Sequence, residues 1–452
     1  MEKNLTTGSV LKNVIFFSLP YLLSYFLQTL YGMADLFIIG QFNSVASITA
    51  VSIGSQVMHL LTVVIVGLAM GTTVSIAQAV GAGKKKLAAQ SIGNTVLLFM
   101  ALAVILTAAL LLLVPAIVAI ISTPPEAVSG TEAYLTICFI GILFITAYNI
   151  ISSIFRGMGD SKSPMYFIAI ACAVNIILDY FFMGYMHLGP IGAALGTTLS
   201  QAFSVIVSLL FIYKQKIITL DKSCFKPRHV VMTKILKIGV PIALQDCLIQ
   251  VAFIVITIIA NQRGLNDAAA VGIVEKVMSF LFLIPSSMLS TVSALGAQNI
   301  GAHKTDRALQ TLRYSVIIAV SFGIFAALVI QFIAEPIVAL FTDKNTTDGA
   351  EVILFGGQYL RGYIWDCIFA GIHFCFSGYF CACGKSVLSF LHNILAIILV
   401  RIPGAYLTSQ LYPDTLFPMG LATAAGSLLS VLICLIAFKL IKATTPKFQT
   451  ED

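Results

Sequence analysis

Residues 165–186 read MYFIAIACAVNIILDYFFMGYM, a run with one charged side chain, Asp179. At ~1.5 Å per residue it is long enough to cross the ~30 Å hydrocarbon core of a bilayer. Asp179 follows Asn175 by four positions, so a helix sets both on one face, about 6 Å apart. A carboxylate in hydrocarbon costs ~2.5–3.5 kcal/mol on insertion scales, so it is retained with a partner or a task. An amide one turn away can hydrogen-bond the protonated acid, or join it around a cation. A coupling ion is therefore expected on this face.

The rest of the chain has the same character. Of 452 residues, 59% are hydrophobic and 10% charged, against about 25% charged in a soluble domain. The class is an all-α integral membrane protein; a β-barrel would show alternating ~10-residue segments. Nothing at the N-terminus reads as a cleaved signal, and Val14–Ile39 is expected to be the first span. Twelve spans are expected, at 14–39, 46–71, 92–121, 133–155, 164–186, 190–213, 235–260, 268–293, 312–341, 352–380, 386–408 and 417–440.

Charge orients them. One side's loops hold 21 of the Lys and Arg residues: Lys3, Lys12, Lys84, Lys85, Lys86, Arg156, Lys162, seven between Lys214 and Lys237, Lys304, Arg307, Arg313, Lys385, Lys439, Lys442 and Lys447. The other side's loops hold Arg263 and Lys344. The split predicts both termini in the cytoplasm of a multi-pass membrane protein. It also accounts for the net charge of +7 without a nucleic-acid partner. The nine cysteines suggest no disulfide framework; they are expected to be free thiols, and Cys381-x-Cys383 makes no metal site.

The basic linker 214–234 divides the chain into 1–213 and 235–452, six spans each. Sliding residues 50–84 onto 270–304 matches 11 of 35 positions, including Ala77-Gln78-x-x-Gly81-Ala82-x-Lys84 on Ala297-Gln298-x-x-Gly301-Ala302-x-Lys304. Pro20 and Pro241 also correspond. Six spans per half leave both repeats in the same orientation, so they are parallel, with substrate expected between them near mid-membrane.

Counting inward from the span ends puts Asp35, Asp179 and Thr197 in one layer, roughly 9–12 Å below the outer surface. Asn175 lies one turn deeper and Asn149 deeper still. Two carboxylates, amides and a hydroxyl make an oxygen-rich cage for Na⁺, or a proton relay. Thr197 and Asn149 also suit plain interhelical bonding, and Asp35 could reach the headgroups. The second half keeps the amide but lacks the acid, as Asn393-Ile-Leu-Ala-Ile397. It carries instead Asp246, Glu275, Lys276, Arg361, Asp366 and Arg401. Either these pair among themselves, for example Asp366 with Arg401, or the acids line a cavity for cationic substrates. Tyr31, Met33, Phe253 and Met278 are candidate apolar wall. No phosphate-cradling loop, His-Glu-x-x-His or Asp-rich motif suggests an enzyme, and no cofactor is expected beyond the coupling ion.

Ser18-Leu19-Pro20 with the late Asp35, the segment Phe155-Arg156-Gly157-Met158-Gly159-Asp160-Ser161-Lys162-Ser163-Pro164, and the Asn175/Asp179 pair are similar to the MATE family of multidrug and toxic-compound exporters, in its DinF-like and MepA-like branch. The resemblance covers essentially the whole chain. It implies a V-shaped pair of six-helix bundles opening alternately to either side, and export of amphipathic, mostly cationic compounds against Na⁺ or H⁺, by a monomer in membrane lipid. It also implies a first-half cation site at Asp35, Asn175, Asp179 and Thr197, near Asn149, and bending of the first helix at Pro20. NorM-like members carry a helix 7 Glu and a helix 10 Asp in the second half; Asp366 corresponds to the latter, while Asp246, only five residues after Pro241, is left unaligned to the former. The substrate cavity is expected to draw on Tyr31, Met33, Asp246, Glu275, Asp366 and Arg401. Alternatives are a lipid-linked oligosaccharide flippase, which would need a strongly cationic cavity, and a receptor or channel without turnover.

Overall fold

The computed structural model describes residues 4–215, 221–342 and 346–444. Lys3, Lys216, Lys344 and Lys447 of the charge count, and linker residues 216–220, lie outside the described residues.

A backbone in hydrocarbon must satisfy every N–H and C=O internally, so the apolar runs become helices. In chain order these are α1 (Val10–Phe42), α2 (Val45–Gly81), α3 (Lys85–Ile120), α4 (Pro125–Gly157), α5 (Lys162–Asp179), α6 (Pro190–Gln215), α7 (His229–Arg263), α8 (Leu265–Leu281), α9 (Leu283–Gly301), α10 (Thr305–Val338), α11 (Thr347–Tyr363), α12 (Asp366–Ala382), α13 (Val387–Ala396), α14 (Ile402–Leu411) and α15 (Phe417–Thr444). No strand occurs among the described residues. Eleven helical stretches are long and apolar enough to cross a membrane; the pair α11–α12, bent by 41°, brings the number to twelve.

Several expected spans are not plain helices. The span at 268–293 is α8 and α9, parted at Phe282. The span at 164–186 is α5 followed by a π-helical turn, Tyr180–Tyr185. The span at 386–408 is α13 and α14 joined by a second π turn, Ile397–Arg401. In α10, Ile333 leaves helical geometry at φ −121°. Pro336, three residues on, has no N–H for the Phe332 carbonyl, which accounts for the kink.

Two compact units emerge. The first comprises Met1–Ala243 with Ala297–Arg307, and the second Leu244–Gly296 with Ala308–Asp452. In the first, α2 packs on α4, α4 on α6, and α1 on α5, around Ile39, Val51, Leu135, Phe139, Ile142 and Ala194. Lipid tails are as apolar as leucine, so close backbone approach replaces the hydrophobic drive between helices. Gly67 and Gly71 of α2 meet Gly239 and Ala243 of α7 in that way. A methyl on Gly67 would stand 2.7 Å from Ala243 Cα, and one on Gly71 would strike the Ile235 carbonyl. In the second unit α11 packs on α8 and α15, with Val271, Val274, Ile330, Tyr359, Tyr363 and Leu416 at the centre.

The Arg156–Pro164 segment ends α4 and starts α5. Gly159 takes φ +89°, a conformation glycine adopts without penalty. Asp160 Oδ1 then accepts from the Lys162 and Ser163 amides at 2.9 and 3.2 Å, capping α5. That turn fixes the register of α5, and hence the heights of Asn175 and Asp179.

Candidate cation site

Three helices of the first unit converge on a buried polar spot. From α1 come Tyr31 and Asp35, one turn apart. From α5 come Asn175 and Asp179, and from α6 Gly196, Thr197 and Ser200. Asp35 is 3% exposed, and Asn175 and Asp179 are fully buried. Thr197 Oγ1 donates to Asp35 Oδ2 at 3.0 Å. The Tyr31 hydroxyl donates to the Thr197 carbonyl at 3.0 Å and lies 3.0 Å from Ser200 Oγ. Ser200 Oγ donates to the same carbonyl at 2.9 Å. The α1–α6 seam is thus bonded at two consecutive turns of α1.

The Asp179 side is bonded differently. The Asp35 and Asp179 carboxyls and the Asn175 amide are near enough to interact. Yet Asp35 Oδ1, both Asp179 oxygens and both Asn175 side-chain atoms have no hydrogen-bond partner of ordinary geometry among the described residues. None of the three ion pairs among the described residues includes Asp35 or Asp179. Burying unpaired carboxylates is costly, and the usual remedies are a proton or a cation. Acceptor oxygens without nitrogen or sulfur suit a proton or a hard cation rather than a transition metal. No cluster of three or more His, Cys, Asp or Glu able to hold a metal occurs among the described residues.

Two local features shape this spot. A Cβ on Gly196 would collide with Asp179 Oδ1, so only glycine lets that carboxylate reach α6. And α5 changes to π geometry immediately after Asp179. A π turn widens the helix and leaves a local mismatch, a form found often at functional sites.

The remaining expected residues are dispersed. Asn149 is buried on α4, where its amide donates to the Ile145 carbonyl, one turn back, at 2.8 Å. Pro20 is buried inside a continuous α1; next to it the Arg156 guanidinium lies 4.0 Å over the Tyr21 ring. Tyr31, whose ring was expected as apolar wall, braces Thr197 through its hydroxyl. Met33 is 50% exposed. In the second unit Asp366 is paired with Arg401, both buried, and Arg361 is paired with Glu335. Glu275 is half-buried and accepts from Thr257 Oγ1 at 3.3 Å, while Asp246 is half-buried on α7. Sequence reasoning missed Gly196, Ser200, Glu335 and the π turns. Gly196 was detectable as the small residue preceding Thr197. The nine cysteines are free.

The family model described as MatE matches residues 20–181 and 241–407. The chain belongs to the MatE family. The two matched MatE segments begin at Pro20 and Pro241, the prolines inside the first helix of each half. Among curated MatE relatives, a probable multidrug resistance protein, YpnP of Bacillus subtilis, is 29% identical over 398 residues, 88% of each chain. A multidrug export protein, MepA of Staphylococcus haemolyticus, is 27% identical and covers 84% of this chain and 82% of that protein. A crystal structure of MATE in complex with MaL6 has the same fold, with TM-score 0.90 at 20% identity over 97% of this chain and 98% of that one. This MatE chain is a membrane protein of a multidrug-transporter family.

Proposed function

We propose that this MatE protein is a cation-coupled antiporter that exports amphipathic, mostly cationic compounds across the bacterial cytoplasmic membrane by alternating access. The coupling ion, H⁺ or Na⁺, binds at Asp35 and Asp179 with Asn175 and Thr197 as neutral ligands. The carrying observation is the group of unpartnered buried atoms on Asp35, Asn175 and Asp179. The Lys- and Arg-rich side faces the cytoplasm with both termini, and the protein works as a monomer in lipid with no nucleic-acid partner and no cofactor. Substrate and ion need only prefer different conformations for each to expel the other. Because the site joins α1, α5 and α6, loading it changes how α1 lies on its neighbours, and Pro20 gives α1 a place to bend.

The pairing of Asp366 with Arg401 and of Arg361 with Glu335 weighs against a lipid-pyrophosphate flippase, which needs unneutralised cations. The test is ethidium accumulation in everted vesicles under an imposed H⁺ or Na⁺ gradient, in the unmodified protein and in Asp179→Asn. Gradient-driven accumulation lost in the variant supports the reading, and the gradient that works names the ion. Accumulation unaffected by Asp179→Asn removes the site. Its absence from well-folded, unmodified protein turns the question to lipid-linked sugar.

A further inference from the structure

The repeated Ala-Gln-x-x-Gly-Ala-x-Lys segments have no part in the cation site, yet they are built alike to the level of single hydrogen bonds. The Ala82 amide donates to the Gln78 carbonyl and the Ala302 amide to the Gln298 carbonyl, each at 3.0 Å. The Lys84 amide donates to Ala79 O at 3.0 Å and the Lys304 amide to Asn299 O at 2.8 Å. Gly83 and His303 take the left-handed turn at φ +67° and +58°. The two ends then lie against each other reciprocally. A methyl on Gly81 would strike the Gln298 carbonyl, and a methyl on Gly301 would strike the Gln78 carbonyl. Each would stand 2.9 Å from the other glutamine's Cα.

A short segment ahead of α1 spans this crossing. The Leu5 amide donates to Gln298 Oε1 at 3.2 Å. Lys304 Nζ donates to the Thr6 carbonyl at 2.9 Å, and Arg307 Nη2 to the Thr7 carbonyl at 3.1 Å. Gln298 Nε2 reaches on to the Gly157 carbonyl at 3.2 Å. Asn13, in the first turns of α1, donates to the Leu5 and Thr7 carbonyls at 3.2 and 3.0 Å. The segment is therefore fastened at one side to α1, the helix that bears Asp35, and at the other to the end of α9 and the start of α10.

We propose that the Gln78–Ala82 and Gln298–Ala302 helix ends are a gate on the Lys-rich face, closed in this structure, and that Leu5–Thr7 is the strap through which α1 holds it closed. The proposal rests on the antiport reading for its purpose. Glycine against carbonyl brings two backbones together without interlocking side chains, so the contact can separate and re-form without unpacking a core. The strap holds by hydrogen bonds and by the buried Leu5 and Thr6 side chains, with Thr7 exposed, a small set of interactions for α1 to release. A shift of α1 when Asp35 gains or loses its cation is passed through Asn13 to Leu5 and Thr7, and from there to Gln298, Lys304 and Arg307.

Amide hydrogen exchange on the full-length protein in nanodiscs tests this without transport as the readout. Gln298→Ala and Asn13→Ala remove strap bonds and add no bulk. Each is expected to speed exchange of residues 4–9, 79–84 and 298–304 about five-fold, the factor by which one net hydrogen bond shifts an opening equilibrium. Exchange across residues 165–179 and 190–205 should stay unchanged. Gly81→Ala should speed exchange at the same three segments by wedging the crossing. The gate is overturned if exchange there equals that of unmodified protein in both strap variants, or if the whole molecule loosens equally. Ethidium accumulation in vesicles, run in parallel, tells the two failures apart. Absent gradient-driven transport by unmodified protein removes the antiport reading and leaves the exchange result to decide the gate. Normal transport with unaltered exchange in the strap variants removes the gate alone.

Discussion

Thr197 Oγ1 donates to Asp35 Oδ2 at 3.0 Å, a side-chain bond from α6 to α1 that engages one of the four carboxylate oxygens at the candidate cation site. The other oxygen of Asp35 and both of Asp179 are the unpartnered ones. Thr197 thus holds one oxygen of Asp35 and leaves the other open, and its hydroxyl is a positioning group as much as a ligand. A hydrogen bond to a charged group contributes ~1.5–3 kcal/mol, so Thr197→Val is expected to raise the half-saturating ion concentration at least about ten-fold. Thr197→Ser should restore most of it. The check is ethidium transport in vesicles as a function of the driving ion; equal half-saturation in the valine variant would contradict the assignment.

Gly196 makes a sharper test of the same geometry. An added Cβ would occupy the space of Asp179 Oδ1, and either Asp179 must turn away or α5 and α6 must separate. Gly196→Ala is expected to abolish ion-driven transport while the protein still purifies as a monodisperse, helical species. Retained transport at normal rates would show that Asp179 has another position to work from.

In the second unit Asp366 and Arg401 are both buried and paired. Removing one partner of such a pair strands the other and costs roughly 3–5 kcal/mol, while replacing both by apolar groups can be neutral. Asp366→Leu is expected to lower folded yield and thermal midpoint strongly, and Asp366→Leu with Arg401→Met to recover both. Recovered transport in the double variant would assign the pair to structure. Recovered folding without transport would bring it into substrate handling.

Gly83 and Gly81 stand two residues apart but resist substitution for different reasons. A methyl on Gly83 meets nothing within 4 Å, yet the residue takes φ +67°. Gly83→Ala should therefore carry only backbone strain, ~1 kcal/mol. That corresponds to a fall of about 1 °C in thermal midpoint for a chain of this length unfolding as one unit. A loss much larger than this would mean the turn is packed more tightly than its open surroundings indicate.

The sequence was most informative where physics leaves a mark on composition. Spans follow from hydrocarbon thickness, and the repeat from Pro20/Pro241 and the two Gln-x-x-Gly-Ala ends. Asn175 and Asp179 stand out because a carboxylate inside an apolar run is too costly to keep without a role. Counting depth from span ends brings Asp35 and Thr197 to the right height, since helix rise is constant. Neighbour choice in the second unit is harder to read. Arg401 could meet Glu275 or Asp366, and only packing decides between acids at comparable depth. Glu335 carries no mark in the sequence that names it as the partner of Arg361. Tyr31 is conspicuous for its ring, whereas its hydroxyl is the part in use. The π turns are invisible, because a hydrogen-bond register that slips by one residue changes no residue type.

The turn Tyr180–Tyr185 just after Asp179 has a counterpart between α13 and α14, Ile397–Arg401, which begins at Ile397, the residue four after Asn393 where the acid is lacking. The second copy has the wide turn without the carboxylate. Backbone shape and ionic chemistry therefore vary independently between the halves. The wide turn is a blueprint common to both, and the acid is a lodger in one.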